Sequence, residues 1–169
     1  MTALPNAITV KADRKLIGIY GEQVDVFAQD FAAMSRDGIL TGNDYECYLH
    51  TAQDLAAITL HFTTPPEETQ VDDLGTATLE FPTGAIVISE ITAGAHGPFT
   101  LPDGPGIYQL HIFGAKSTRQ ETADRVDTII RENPTVDAIR AALEPLDGRE
   151  QYWINLRRTG DSTDDEEDD

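Results

Sequence analysis

Between residues 45 and 114 apolar and polar side chains alternate with period two, and Gly, Pro, Asn and Asp interrupt the alternation at short intervals. Successive side chains point to opposite faces only in a strand, so this pattern restricts the middle of the chain to sheet. Strands are expected at 45–50, 55–63, 75–81, 85–91 and 106–114. In the second of these, Ala56, Ile58, Leu60 and Phe62 share one face, and Ala57, Thr59 and His61 take the other. Pro65-Pro66 ends that strand, because proline cannot donate to a ladder, and Pro82-Thr83-Gly84 supplies a tight connection between the next two. The order reads as a meander.

The flanks change period. Short β-branched runs at 6–12 and 15–20, separated by Asp13-Arg14, look like a hairpin. After Gly21, Val24, Phe27, Ala28 and Phe31 recur at helical spacing and Gly38 closes the segment, which predicts an early amphipathic helix. Beyond residue 114, Thr118 with Glu121 fits a capping box, Ala123, Val126 and Ile130 line a face, and Glu121/Arg125 and Asp127/Arg131 are i,i+4 pairs. Asn133-Pro134 starts a second helix with Val136, Ile139 and Leu143 as its stripe, ending before Pro145. Residues 151–158 alternate again, with Tyr152, Ile154 and Leu156 opposed to Trp153, Asn155 and Arg157, so a last strand should rejoin the sheet. The expected fold class is α+β: an antiparallel β-sheet or β-sandwich with an early amphipathic helix and a helical pair before the last strand.

With 169 residues the chain fits a single globular domain, assigned to 1–158. Residues 159–169 lack the apolar side chains that offset the entropy of ordering and are expected to form a disordered acidic tail. Thirty Asp and Glu face twelve Lys and Arg, for a formal net charge of −18. The surplus is uneven: residues 1–117 carry −10, 118–158 carry −1 and 159–169 carry −7. A field of that sign attracts cationic surfaces and repels nucleic acid and anionic membrane faces. Cys47, the single cysteine, gives no internal disulfide and no argument for an oxidising compartment. The opening residues have no basic start followed by an apolar stretch, and no run approaches the roughly 18 apolar residues of a membrane span. A cytoplasmic setting without membrane contact is expected.

Four stretches resemble a known group. They are Thr59-Leu-His-Phe-Thr-Thr-Pro-Pro-Glu-Glu, Ala77-Thr-Leu-Glu-Phe-Pro-Thr-Gly-Ala-Ile-Val-Ile, Leu101-Pro-Asp-Gly-Pro-Gly-Ile-Tyr-Gln-Leu-His-Ile-Phe-Gly and Glu150-Gln-Tyr-Trp-Ile-Asn-Leu. Over about residues 55–158 they are similar to acidic, mostly β bacterial proteins common in actinobacteria, some of them like competence-associated nuclease inhibitors or toxin immunity proteins. The resemblance lies in strand and turn pattern and implies an inhibitor or immunity role without assigning residues. The Arg-rich helical insertion between Gly114 and Glu150 departs from it.

Two constellations are candidates for a site. Glu67, Glu68, Asp72 and Asp73 cluster in the connection after Pro65-Pro66, and Asp164, Asp165, Glu166 and Glu167 sit in the tail. Exposed carboxylates of this kind suit a basic protein partner such as a nuclease or toxin, by occupying the groove meant for phosphates and pairing with Arg and Lys. The alternative rests on a hairpin of 45–50 with 55–62, which would set Glu46 opposite Thr59 and Asp44 opposite His61 on one face with His50. Two carboxylates and two imidazoles suit a small metal-dependent enzyme or binder. A third reading keeps the acid for solubility in salt, in a structural domain. Cys47 reads as a buried thiol, no serine occupies a nucleophile elbow, and Asp103-Gly-Pro-Gly106 lacks the Lys and helix start of a phosphate loop. No catalytic residue and no cofactor is implied.

Overall fold

A computed structural model of the chain describes residues 2–26 and 29–163. In chain order these form β1 (Thr2–Ala3), β2 (Ala7–Val10), β3 (Leu16–Gly21), β4 (Ser35–Asp37), β5 (Leu40–Gly42), β6 (Glu46–His50), β7 (Ile58–His61), β8 (Asp72–Phe81), β9 (Ala85–Ser89), β10 (Ala95–Thr100), β11 (Gly106–Gly114), α1 (Lys116–Glu132), α2 (Val136–Leu143) and β12 (Glu150–Gly160). Single 3-10 turns occupy Phe31–Ala33 and Glu144–Leu146.

The strands divide between two sheets, one ordered β1-β10-β9-β3-β6-β5-β4 and the other β2-β7-β12-β11-β8. Pairing is antiparallel except for β1 with β10 and β7 with β12. The inner faces meet in one core, where Ile17, Ile19, Leu49 and Ile88 of the larger sheet join Ile58, Leu79, Leu110 and Ile154 of the smaller. Strand β11 shows why the alternation is so regular, since its residues are buried and half-exposed in strict turn from Gly106 to Gly114. The result is a β-sandwich with two helices.

The connections correct the meander. Asp13 and Leu16 exchange both backbone hydrogen bonds, at 3.0 and 2.9 Å, across Arg14 and Lys15. Those two residues have φ of 51° and 64°, the pair of left-handed residues that a two-residue hairpin turn demands. Yet β2 then pairs with β7, and β3 pairs with β6 and β9. The turn is therefore a corner between sheets and not the head of a hairpin. Likewise β6 lies in the larger sheet and β7 in the smaller, so the expected hairpin of 45–50 with 55–62 does not form.

The early amphipathic helix is also overturned, since no α-helix lies among the described residues before Lys116. Gln23 takes a left-handed backbone at φ 67°, which interrupts helix propagation, and Asp30 caps only the single turn Phe31–Ala33 by accepting from Ala32 N–H. Phe27 and Ala28 of the expected apolar face lie outside the described residues. Phe31 packs edge-on against Tyr48, with ring centroids 5.7 Å apart, so its spacing reflects cover for the outer face of β6.

The helical pair forms before the last strand, with its details shifted. Helix α1 starts at Lys116 after Ala115, which makes no side-chain cap bond, so Thr118 lies inside the helix and the capping box is absent. Thr135, and not Asn133, caps α2 through Ala138 N–H. Val126 and Ile129 pack with Leu146 and Ala56, whereas Ile130 and Val136 are 43% and 70% exposed. Residues 159–163, expected in the tail, continue β12 to Gly160 and bury Ser162. Among the described residues no helix is long and apolar enough to cross a membrane.

Candidate functional site

Strands β7 and β8 are separated in their sheet by β12 and β11, so residues 62–71 carry the chain across two strands. Midway, Glu67 and Glu68 are exposed in a turn closed by Thr69 N–H to the Pro66 carbonyl at 2.9 Å. Neither carboxylate makes a hydrogen bond or ion pair among the described residues. The other two acids of the cluster are engaged inside the molecule. Asp72 Oδ2 accepts the Lys116 backbone N–H at 3.0 Å, satisfying a donor at the uncapped start of α1. Asp73 Oδ2 lies 2.8 Å from His111 Nε2, and its other oxygen accepts from Gly75 N–H at 3.2 Å. The bond from His111 comes first in holding the Asp73 carboxyl below its ordinary value. Asp164, Asp165, Glu166 and Glu167 lie outside the described residues.

The structure does not assemble Asp44, Glu46, His50 and His61 on one hairpin face. Glu46 is buried on β6 opposite Tyr20, and Asp44 is exposed before that strand, its carbonyl accepting Glu80 N–H at 2.8 Å. His50 Nε2 and Thr41 Oγ1 share a 2.8 Å hydrogen bond, and burial followed by the nearby Arg36 charge lowers the imidazole's pKa. His61 belongs to the other sheet, where it bonds Gln151 at 2.8 Å and stacks on Trp153 at 4.7 Å. Among the described residues no group of three or more His, Cys, Asp and Glu is placed to hold a metal ion. Cys47 faces the core, and burial pushes its thiol up to about 12.

Two buried carboxylates went unrecognised in the sequence. Glu150, fully buried at the start of β12, accepts from Ala52 N–H at 2.9 Å, from the Gln53 amide at 3.2 Å and from the Tyr152 hydroxyl. Arg119 of α1 donates to that same hydroxyl at 2.8 Å and to the His50 carbonyl at 3.2 Å, which ties the helix to both sheets. Burial, then the Glu150 charge, raises the Tyr152 pKa. The second is Glu80, on the opposite face of β8 from Leu79 and Phe81. It accepts from Ser162 Oγ at 2.7 Å and from the Thr163 N–H at 2.6 Å, fastening the end of the described chain. Burial alone raises the Glu80 carboxyl, but donors from Ser162, Thr163 and Tyr45 outweigh it and leave it lowered. The available signal was register: Glu150 falls in step with Tyr152 and Ile154 on the buried face of β12, whereas Glu80 falls in step with Thr76 and Thr78 and gave none.

The same sandwich occurs in solved structures. In fold, the chain is similar to ComJ. That protein, described as an inhibitor of the DNA-degrading activity of NucA from Bacillus subtilis, matches over 90% of this chain and 95% of its own, with TM-score 0.50 and 10% identity. A second structure, described as crocagin biosynthetic gene J, matches over 90% of this chain and 96% of its own, with TM-score 0.46 and 12% identity. No protein-family model matches the chain, and no curated protein matches it significantly.

Proposed function

We propose that the chain is a non-enzymatic inhibitor or immunity-type partner of a basic protein such as a nuclease or toxin, acting in the cytoplasm. The observation that carries this reading is Glu67 and Glu68, exposed and without internal partners in a turn, on a molecule of formal net charge −18. Carboxylates held this way keep their acceptor capacity for Arg and Lys of another protein, and the net field speeds the encounter. The fold shared with ComJ, which inhibits a nuclease, supports the same role. Asp72 and Asp73 contribute charge at the edge of this surface, while the bonds to Lys116 and His111 hold them in place. The acids of 164–169 extend the attraction to longer range.

The test is capture by the immobilised chain from a lysate of its own source, with retained proteins identified by mass spectrometry. A dominant basic protein is expected, released by moderate salt and lost with Glu67→Lys/Glu68→Lys, and the eluted protein's nuclease or toxin activity should be inhibited by the wild-type chain. Capture indifferent to salt and to the double reversal overturns the reading. Asp72 is left unchanged in this variant, because its loss also disturbs α1.

A further inference from the structure

The cations of this acidic chain are few, and three of them line one cavity. The chain has three lysines, Lys11, Lys15 and Lys116. Two of these, with Arg119, surround a space of about 510 Å³ that Ala52, Gln120, Ala123 and Asp127 complete. Each cation comes from a different anchored piece of backbone. Lys15 is the second left-handed residue of the Asp13–Leu16 corner, and its carbonyl accepts Thr51 N–H at 2.9 Å. Lys116 opens α1 with its N–H on Asp72. Arg119, one turn on, is held by the Tyr152 hydroxyl and the His50 carbonyl.

Among the described residues neither the Lys15 nor the Lys116 ammonium forms an ion pair, and Arg119 has no direct carboxylate partner. Asp127 is the one acid on the wall itself, while behind it Glu150 shares the Tyr152 hydroxyl with Arg119 and Asp72 accepts the Lys116 N–H. Like charges gathered around a space raise one another's energy, and a chain with an acid surplus has carboxylates to spare for neutralising them. Here the pairing is absent and the space remains.

We infer that this cavity binds the phosphoryl group of a small molecule, either inorganic phosphate or a phosphate monoester. A phosphoryl group matches a wall with three cations and one acid, lysines serve phosphate as point charges, and Arg119 keeps a terminal nitrogen for a further bond. Long nucleic acid is excluded by the acid over the rest of the molecule. At physiological salt that opposing field is screened within about 8 Å, which leaves the local cations to decide the binding of a small anion.

Isothermal titration of the full chain with sodium phosphate and with adenosine monophosphate, in buffer held at constant ionic strength with chloride, tests this. One saturable event is expected, weakened about tenfold or more in Lys15→Asn/Lys116→Gln and tightened in Asp127→Asn. Asn is chosen at position 15 because it tolerates the left-handed backbone, and unchanged circular dichroism certifies the fold of both variants. Equal affinity for the two probes identifies free phosphate as sufficient, and tighter binding of the monophosphate identifies the ester. Absence of saturable heat with either probe, or one affinity shared by all three proteins, overturns the inference. Protein capture through Glu67 and Glu68 is a separate readout, so the two proposals fail independently.

Discussion

Glu80 shows how a single side chain fastens a terminus. Its buried carboxylate meets two donors on Thr163, one on Ser162 and one on Tyr45. In Glu80→Gln the amide turns a donor toward groups that also donate, and hydrogen bonds to a charged acceptor are lost. We expect a loss of about 2 kcal/mol in urea denaturation at neutral pH. The folded carboxyl titrates below the unfolded one, which lies near pH 4.3, so its stabilisation is complete above about pH 4.3 and drains away as pH falls through the folded value. The stability gap between wild type and Glu80→Gln should therefore narrow as pH falls below about 4.3, and a gap that stays constant on acidification removes this role for Glu80. The hydroxyls of Ser162 and Thr163 lie in a stretch whose composition reads as tail, which is why the contact was not legible: its partner is more than eighty residues away.

At the scale of elements, β8 is an edge strand ten residues long, and the turn between β4 and β5 seals it. Ile39 N–H reaches the Leu74 carbonyl at 2.9 Å, and the Asp37 carboxylate accepts both Thr76 N–H and Thr76 Oγ1, at 2.7 and 2.9 Å. The backbones touch because both contact points are glycine. A Cβ on Gly75, at φ 143°, would stand 2.4 Å from the Asp37 carbonyl oxygen, and one on Gly38, at φ 57°, 2.0 Å from that of Leu74. Gly75→Ala is expected to cost about 2–4 kcal/mol and to release the edge for pairing between molecules, seen as a lower urea midpoint with increased light scattering. A variant within about 0.5 kcal/mol of wild type and free of aggregation shows that the seal is dispensable. Strand β11 was read to the residue, and β12 within two, because both run long enough to display alternation. The two-residue β1 and three-residue β4 have no period to display, and Gly97-Pro98 breaks it in β10. Turn chemistry was legible at Asp13–Leu16 and Pro82–Gly84, but the same left-handed residues serve a hairpin and a corner between sheets. That ambiguity produced the expected hairpin of 6–12 with 15–20, whereas the pairing of Glu46 with Thr59 failed because β6 and β7 belong to different sheets. The start of α1 was misread for a related reason: its donor is met by Asp72 across the fold and not by a neighbour in sequence.

For the whole molecule, the formal charge of −18 acts on folding and on binding with opposite sign. Carboxylates on a compact surface repel one another more than in the expanded chain, so screening favours the folded state. Attraction to a cationic partner is weakened by the same screening. Raising sodium chloride from about 20 mM to about 0.5 M shortens the Debye length from roughly 20 Å to roughly 4 Å, so most long-range repulsion disappears within that interval. We expect the urea midpoint to rise across it by the equivalent of about 1–2 kcal/mol and then to level, while the affinity for a captured basic protein falls steeply. The chain should nonetheless remain folded at the lowest salt, since the core joining both sheets is apolar and owes nothing to counterions. Acid serving only solubility in salt predicts unfolding at about 20 mM and no partner whose affinity tracks ionic strength. Circular dichroism across the titration separates the two: a cooperative loss of the sheet signal at low salt would assign the carboxylates to hydration of the surface, and a constant signal with salt-sensitive capture assigns them to recognition.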